Sequence, residues 1–177
     1  MGIQIGAKLD SGFDDPIGML TDCHRRIERF LHVLCTVVDR ARGRSLTAEE
    51  TEAIDAALQY FHTGGQRHNA DEEASLFPRL RAECPSKELE ELGGLENDHR
   101  RTNDLHAAAE RYYRIWIDSG QLNQEDNERL LIATGELSRL YKEHIQLEEQ
   151  TVFPRAAKVL NPAAIAAMGE EFCARRQ

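Results

Sequence analysis

One pattern of chemically capable side chains occurs twice in this chain. His68 is followed four residues later by Glu72, then by Glu73 and by Phe77-Pro78-Arg79; His144 is followed in the same way by Glu148, Glu149 and Phe153-Pro154-Arg155. On a helix, residues four apart stack one turn from each other on a single face, so each copy aims an imidazole and a carboxylate at one point. A single copy would read as a surface ion pair. Two copies with matching tails read as halves of one site. Each is preceded by a further histidine, His24 before His68 and His99 before His144, at separations equal to within one residue, and Asp22-Cys23-His24-Arg25 is echoed by Asn97-Asp98-His99-Arg100.

Four imidazoles and two carboxylates at one place are too many for a tetrahedral zinc. They suit two six-coordinate metals with positions left for exogenous ligands. Mixed nitrogen and oxygen donors suit iron in both its ferrous and ferric states, whereas calcium and magnesium sites are built from oxygen. Two irons are therefore the expected cofactor. Two ferrous ions with two carboxylates, or two ferric ions with two carboxylates and a bridging oxide, leave the same net charge, which favours redox cycling in a buried place.

The elements that must position these side chains are helices. Asp14-Asp15-Pro16 starts a helix with an acidic cap and a proline at its first turn, and Ile17, Leu20, His24, Ile27, Leu31, Leu34 and Val38 form its apolar stripe up to Arg42-Gly43. Thr47-Ala48-Glu49-Glu50 is a capping box that opens a second helix, with Ile54, Leu58, Phe61, Gly65, His68, Glu72 and Leu76 inward and a stop at Cys84-Pro85-Ser86. Gly64-Gly65 within it costs about 1 kcal/mol per glycine, which implies a close helix contact or room for a small ligand. A short segment with Leu89 and Leu92 ends at Gly93-Gly94, and a third helix is expected from Leu95 to Asp118 with Leu95, His99, Thr102, His106, Ala109, Tyr113 and Trp116 inward. Asn123 and Asp126 open the fourth, whose inward face reads Leu130, Thr134, Leu137, Tyr141, His144, Glu148 and Thr151; Asn161-Pro162 caps a short last helix. No stretch alternates with period two. The expected fold is all-α, an up-down-up-down four-helix bundle over 14–160, preceded by an arm over 1–13 and followed by a C-terminal helix over 161–177.

Composition narrows the function classes. The 177 residues fit one domain with a sizeable core, 41% are hydrophobic and 30% charged, and the net charge is −9. Nucleic acid and anionic membrane surfaces are not expected partners, because binding there runs on clustered Lys and Arg. No apolar run approaches the roughly 20 residues of a membrane span, and the first residues lack a signal-peptide pattern. Cys23, Cys35, Cys84 and Cys173 show no Cys-x-x-Cys spacing. Reduced thiols and a cytoplasmic location are expected, with Cys23 a small buried apolar residue.

His24, His68-x-x-x-Glu72, His99 and His144-x-x-x-Glu148, with both Glu-Glu-x-x-(Leu/Val)-Phe-Pro tails, closely resemble the hemerythrin-like (HHE cation-binding) family over Pro16 to Leu160. The resemblance implies a non-haem di-iron centre, oxo- or hydroxo- and carboxylate-bridged. Glu72 and Glu148 would bridge, and His24, His68, His99 and His144 would be terminal ligands. The oxygen carriers of the family have a fifth His where this chain has Asn103, and an Asp five residues beyond the last His where this chain has Glu149. The pattern looks more like the four-His, two-Glu relatives, among them di-iron proteins linked to iron-sulfur cluster repair, though without the Cys-bearing N-terminal module those often carry.

The expected function is binding or turnover of a small oxidant, H2O2, O2 or NO, as a catalase-like or other di-iron oxidoreductase in oxidative or nitrosative stress defence, with a separate electron donor. The alternative is an iron or oxygen sensor or an iron-binding protein without turnover. Reversible O2 carriage is disfavoured by Asn103. Glu73 and Glu149 are expected behind the ligands or at the surface, paired with Arg79 and Arg155; His106 shares the inward face but sits about 10.5 Å along the helix from His99, with an extra ligand or a proton donor near the open positions as its functional alternative. His32 and His62 are expected in solvent. Tyr60, Tyr113, Tyr141 and Trp116 are read as packing residues.

Overall fold

The computed structural model describes residues 10–84 and 90–177, so residues 1–9 of the expected arm, and Pro85, Ser86 and Leu89 of the segment between the halves, lie outside the described residues. Helix α1 spans Pro16–Ala41, capped by Asp15, whose side chain accepts from the Gly18 amide, and closed by Arg42 and Gly43 in left-handed conformations. A second rod is made of α2 (Ala48–Tyr60), α3 (Gln66–Asp71) and α4 (Phe77–Glu83), joined without a break by wide π turns over Phe61–Gly65 and Glu72–Leu76. The Thr47–Glu50 capping box opens it. The third rod is α5 (Glu90–Ser119). The fourth is α6 (Gln124–Leu147) and α7 (Phe153–Val159), joined by a π turn over Glu148–Val152. Helix α8 (Pro162–Ala174) follows, capped by Asn161. Among the described residues there is no strand, and no helix is long and apolar enough to cross a membrane.

The four rods form an all-α up-down-up-down bundle in which each packs against its sequence neighbours and α1 closes the ring against α6. Two features differ from the sequence expectation. Helix α5 runs through Gly93-Gly94 instead of starting after it. Leu92 and Leu95 are fully buried on either side of the pair, and that burial outweighs a helix-propensity cost of about 1 kcal/mol per glycine. In the fourth rod Val152, rather than Thr151, turns fully inward. The π turn at Glu148 inserts one residue into the helical register, and the inward stripe moves by one.

Both site-bearing π turns have a cause in the sequence. Pro78 and Pro154 have no amide hydrogen, and their rings would clash with the carbonyls four residues back, Ala74 and Gln150. Widening the turn relieves this: the Phe77 and Phe153 amides donate instead to the carbonyls of Glu72 and Glu148. The repeated Phe-Pro therefore re-shapes the backbone at the two glutamates themselves.

Two apolar blocks fill the bundle. One, with Leu34, Ile54, Tyr113, Trp116 and Leu130, lies on the side of the α1–α2 loop; the other, with Leu20, Phe77, Leu92, Leu95 and Phe153, lies at the opposite end. Helix α8 closes that second end with Met168 and Phe172, both fully buried, each worth about 1.5–3 kcal/mol of hydrophobic stabilisation. Gly169 admits the Phe13 carbonyl so closely that a Cβ there would lie 1.9 Å from it. A layer of buried histidines and glutamates separates the two blocks.

Candidate metal centre

The six side chains of the duplicated pattern converge in that layer. His24 and Glu148 are fully buried, as is Glu72, and His68, His99 and His144 are nearly so. Their donor atoms form two groups, His24, His68, Glu72 and Glu148 in one and Glu72, His99, His144 and Glu148 in the other, each within 4.8 Å. Each half of the chain thus brings its two histidines to one group, and both glutamates belong to both.

Every closest pair of donors is spaced for a common ion. His24 Nε2 lies 3.1 Å from Glu148 Oε2, His144 Nε2 3.2 Å from the same oxygen, His68 Nε2 3.3 Å from Glu72 Oε1 and His99 Nε2 3.3 Å from Glu72 Oε2. His99 Nε2 and His144 Nε2 are 3.1 Å apart. Ligand bonds of about 2.1 Å at right angles set neighbouring donors about 3 Å apart. Among the described residues the ion-pair contacts of Glu72 and Glu148 are all with histidines, and His24 Nε2 and all four carboxylate oxygens are buried without a hydrogen-bond partner. Orphaned buried acceptors are costly, and a pair of cations satisfies them together. The donor set fits two metal ions.

The protonation pattern points the same way. Burial, and then Glu148, push the Glu72 carboxyl well above the usual range. Burial also works against the Glu148 anion, but His144 and His24 outweigh it and hold that carboxyl below the usual range. Burial and His24 push His68 well below its ordinary value, burial and His144 lower His99, and His144 is raised because burial is exceeded by Glu148 and Asp98 together. Glu72 and Glu148 are thus pushed in opposite directions by one shared environment. A cation favours the deprotonated form of every donor.

Behind the donors a second set of groups orients the rings. His24 Nδ1 is 2.9 Å from Glu149 Oε1, and His99 Nδ1 is 2.7 Å from Glu73 Oε1. An ionised carboxylate only accepts, so each ring carries its proton on Nδ1 and turns the Nε2 lone pair inward. Each of these glutamates adjoins the donor glutamate of one half and holds the upstream histidine of the other. Arg25 in turn donates to Glu149 at 2.9 Å. Arg79 and Arg155, the partners considered from sequence, instead meet Glu171 and Glu91. Asp98 approaches His144 Nδ1 at 3.7 Å, within ion-pair range but too long for a hydrogen bond. The repeated phenylalanines flank the upstream histidines: Phe153 stacks on His24 at 5.3 Å and Phe77 on His99 at 6.2 Å between ring centroids. These stacking roles were missed from the sequence; the repetition of Phe-Pro beside Glu-Glu was the available signal.

His106 does not join the ligand groups. Its Nε2 lies 3.0 Å from the Tyr141 hydroxyl, and its ring packs on Phe61 at 4.2 Å. Burial, followed by His62, lowers its pKa to about 4. His32 is exposed, and His62 is exposed with a 2.7 Å contact to Glu110. Cys23 is buried, and burial raises its thiol pKa. Tyr113 and Trp116 are core residues that donate to the carbonyls of Leu34 and Arg44, and Tyr60 reaches the Cys23 carbonyl at 3.3 Å.

With two cation-shaped donor groups in place, the comparison with known proteins is decisive. The Hemerythrin HHE cation binding domain matches residues 15–156. The chain belongs to the hemerythrin HHE family. A protein of Haemophilus influenzae, itself described as uncharacterized, is 27% identical over 165 residues, which span 93% of this chain and 92% of its own length. The HHE match covers the first three rods, the fourth as far as Ala156, and every donor in the two groups, so cation binding is the property that this family and this geometry share.

Proposed function

We propose that this HHE protein holds two irons and binds or turns over a small oxidant, H2O2, O2 or NO, in the manner of a catalase-like or related di-iron oxidoreductase. One observation carries the reading: two donor groups share Glu72 and Glu148, so each of two ions would have four protein donors and positions left for exogenous ligands. When bound, the irons would supply Lewis acidity and electrons. Glu72 and Glu148 would bridge them, and His24, His68, His99 and His144 would be terminal ligands.

The protein's own groups do the rest. Glu73 and Glu149 keep His99 and His24 in the ligating tautomer. Phe77 and Phe153, backed by Phe172 and Met168, keep water from the end of the cluster next to α8.

A second reading, iron or oxygen sensing without turnover, has one observation of its own. Asp71, fully buried and adjacent to Glu72, accepts from Arg175 at 2.7 Å and Arg176 at 2.6 Å. This clasp ties the end of the chain to the cluster, so metal occupancy could be read there.

The test is iron content with peroxide turnover. About two irons per chain, and O2 evolution from added H2O2 that is lost in His68→Ala and Glu148→Ala, support the enzyme. An inert iron centre that only raises the melting temperature supports the sensor. One zinc per chain and no colour would sink both.

A further inference from the structure

The cluster is buried, yet a reacting molecule must reach it. At the α8 end Phe77, Phe153, Met168 and Phe172 close the way. On the other side of the cluster the bundle carries two lateral cavities related by the same approximate twofold symmetry as the ligands. One, of about 340 Å³, lies between the second and third rods and is walled by Phe61, Gln66, Asn103, His106 and Ala107. Its twin, of about 300 Å³, lies between the first and fourth rods and is walled by Leu31, His32, Ser138, Tyr141 and Lys142.

Matching the ligand repeat places Gly65 opposite Tyr141 and Leu31 opposite His106. The twins therefore differ at their inner ends. Beside the first and fourth rods, the Tyr141 phenol fills the space one turn from His144. Beside the second and third rods, the equivalent position is Gly65, where an added Cβ would meet only the Phe61 ring, at an ordinary 3.5 Å. Asn103 lies one turn beyond His99 on the third rod, so the lining of this cavity comes within one helical turn of a donor histidine. Its inner end is spanned by one hydrogen bond, His106 to Tyr141, which crosses from the third rod to the fourth. His106 rests on Phe61, the first residue of the π turn Phe61–Gly65.

We propose that the cavity between the second and third rods is the vestibule by which a small ligand reaches the metal pair, that Gly65 keeps it open, and that the His106–Tyr141 contact is its inner gate. This rests on the reading that the metals have free positions. A gate has a kinetic signature that a binding contact lacks: it changes association and dissociation together and leaves the equilibrium constant alone.

The probe is azide, added to the iron-loaded full-length protein and followed by its absorbance in stopped flow. Gly65→Leu and Ala107→Trp are expected to slow association and dissociation by about tenfold each with Kd unchanged. His106→Ala is expected to speed both. Ser138→Trp, which fills the twin cavity, is expected to leave both rates as they are. Ala107 is exposed, so its variant decides the question should Gly65→Leu fail to fold. Wild-type rates in the filled-vestibule variants, or slowing by Ser138→Trp alone, overturn the assigned route; an unchanged rate in His106→Ala overturns the gate. If the wild-type protein shows no azide-dependent absorbance at all, the reading of free metal positions falls, and the vestibule with it.

Discussion

The first half of the molecule, α1 to α4, and the second, α5 to α7, agree at the metal cluster and differ around it. His24, His68, Glu72, Glu73 and Phe77 have counterparts in His99, His144, Glu148, Glu149 and Phe153, down to the crossing contacts Glu149–His24 and Glu73–His99. Away from the donors the match fails. Asp71, buried under the two arginines that follow α8, corresponds to the exposed Leu147; Gly65 corresponds to Tyr141; Leu31 corresponds to His106. Two ions sharing two carboxylates require equal geometry from both halves. Closing one flank of the bundle and opening another require them to differ.

The largest test of the shared part is to remove a glutamate. Glu72→Ala and Glu148→Ala each take donors from both groups, so either variant is expected to purify with nearly no iron, measured by elemental analysis. Retention of one iron by either would mean that the two halves bind independently.

The next test addresses the asymmetry. Asp71→Ala removes the anion that two arginines share and is expected to cost about 3 kcal/mol in chemical denaturation, whereas its counterpart Leu147→Ala should stay within about 0.5 kcal/mol. Equal effects would show that the arginines after α8 do not distinguish the halves.

The orienting carboxylates should behave as twins. Glu73→Ala and Glu149→Ala are each expected to weaken iron binding about 10- to 100-fold in a chelator competition. A large difference between them would assign an extra share to Arg25, which touches Glu149 alone of the two.

The smallest effect concerns His106, which has Leu31 as its counterpart. Its pKa falls from 6.5 to about 4 in the fold because burial, then His62, disfavours the cation. Between those values the unfolded chain binds the proton and the folded chain does not. The stability contribution is therefore complete above pH 6.5 and is lost as pH falls toward 4. In metal-free protein the melting temperature of His106→Gln should fall less over that interval than that of the wild type; parallel curves would mean that His106 is solvated in the fold.

The donors were legible in the sequence because a repeated His-x-x-x-Glu on an apolar stripe has few other physical meanings, and the caps at Asp15, Thr47, Asn123 and Asn161 act over three residues and can be read locally. Gly93-Gly94 misled because propensity is local, while the burial of Leu92 and Leu95 that overrides it is not. Thr151 misled because one proline, Pro154, shifts the register several residues upstream.

By itself, then, the sequence determined the helical class, the capped starts of α1, α2, α6 and α8 and the identity of six metal-capable side chains, all of which follow from spacing along one chain. Only the tertiary structure decided that both glutamates join both groups, that Glu73 and Glu149 serve the opposite half, and that Tyr141 reaches across the bundle to His106. These depend on distances between rods, and such distances are set by packing across the bundle rather than by residue order.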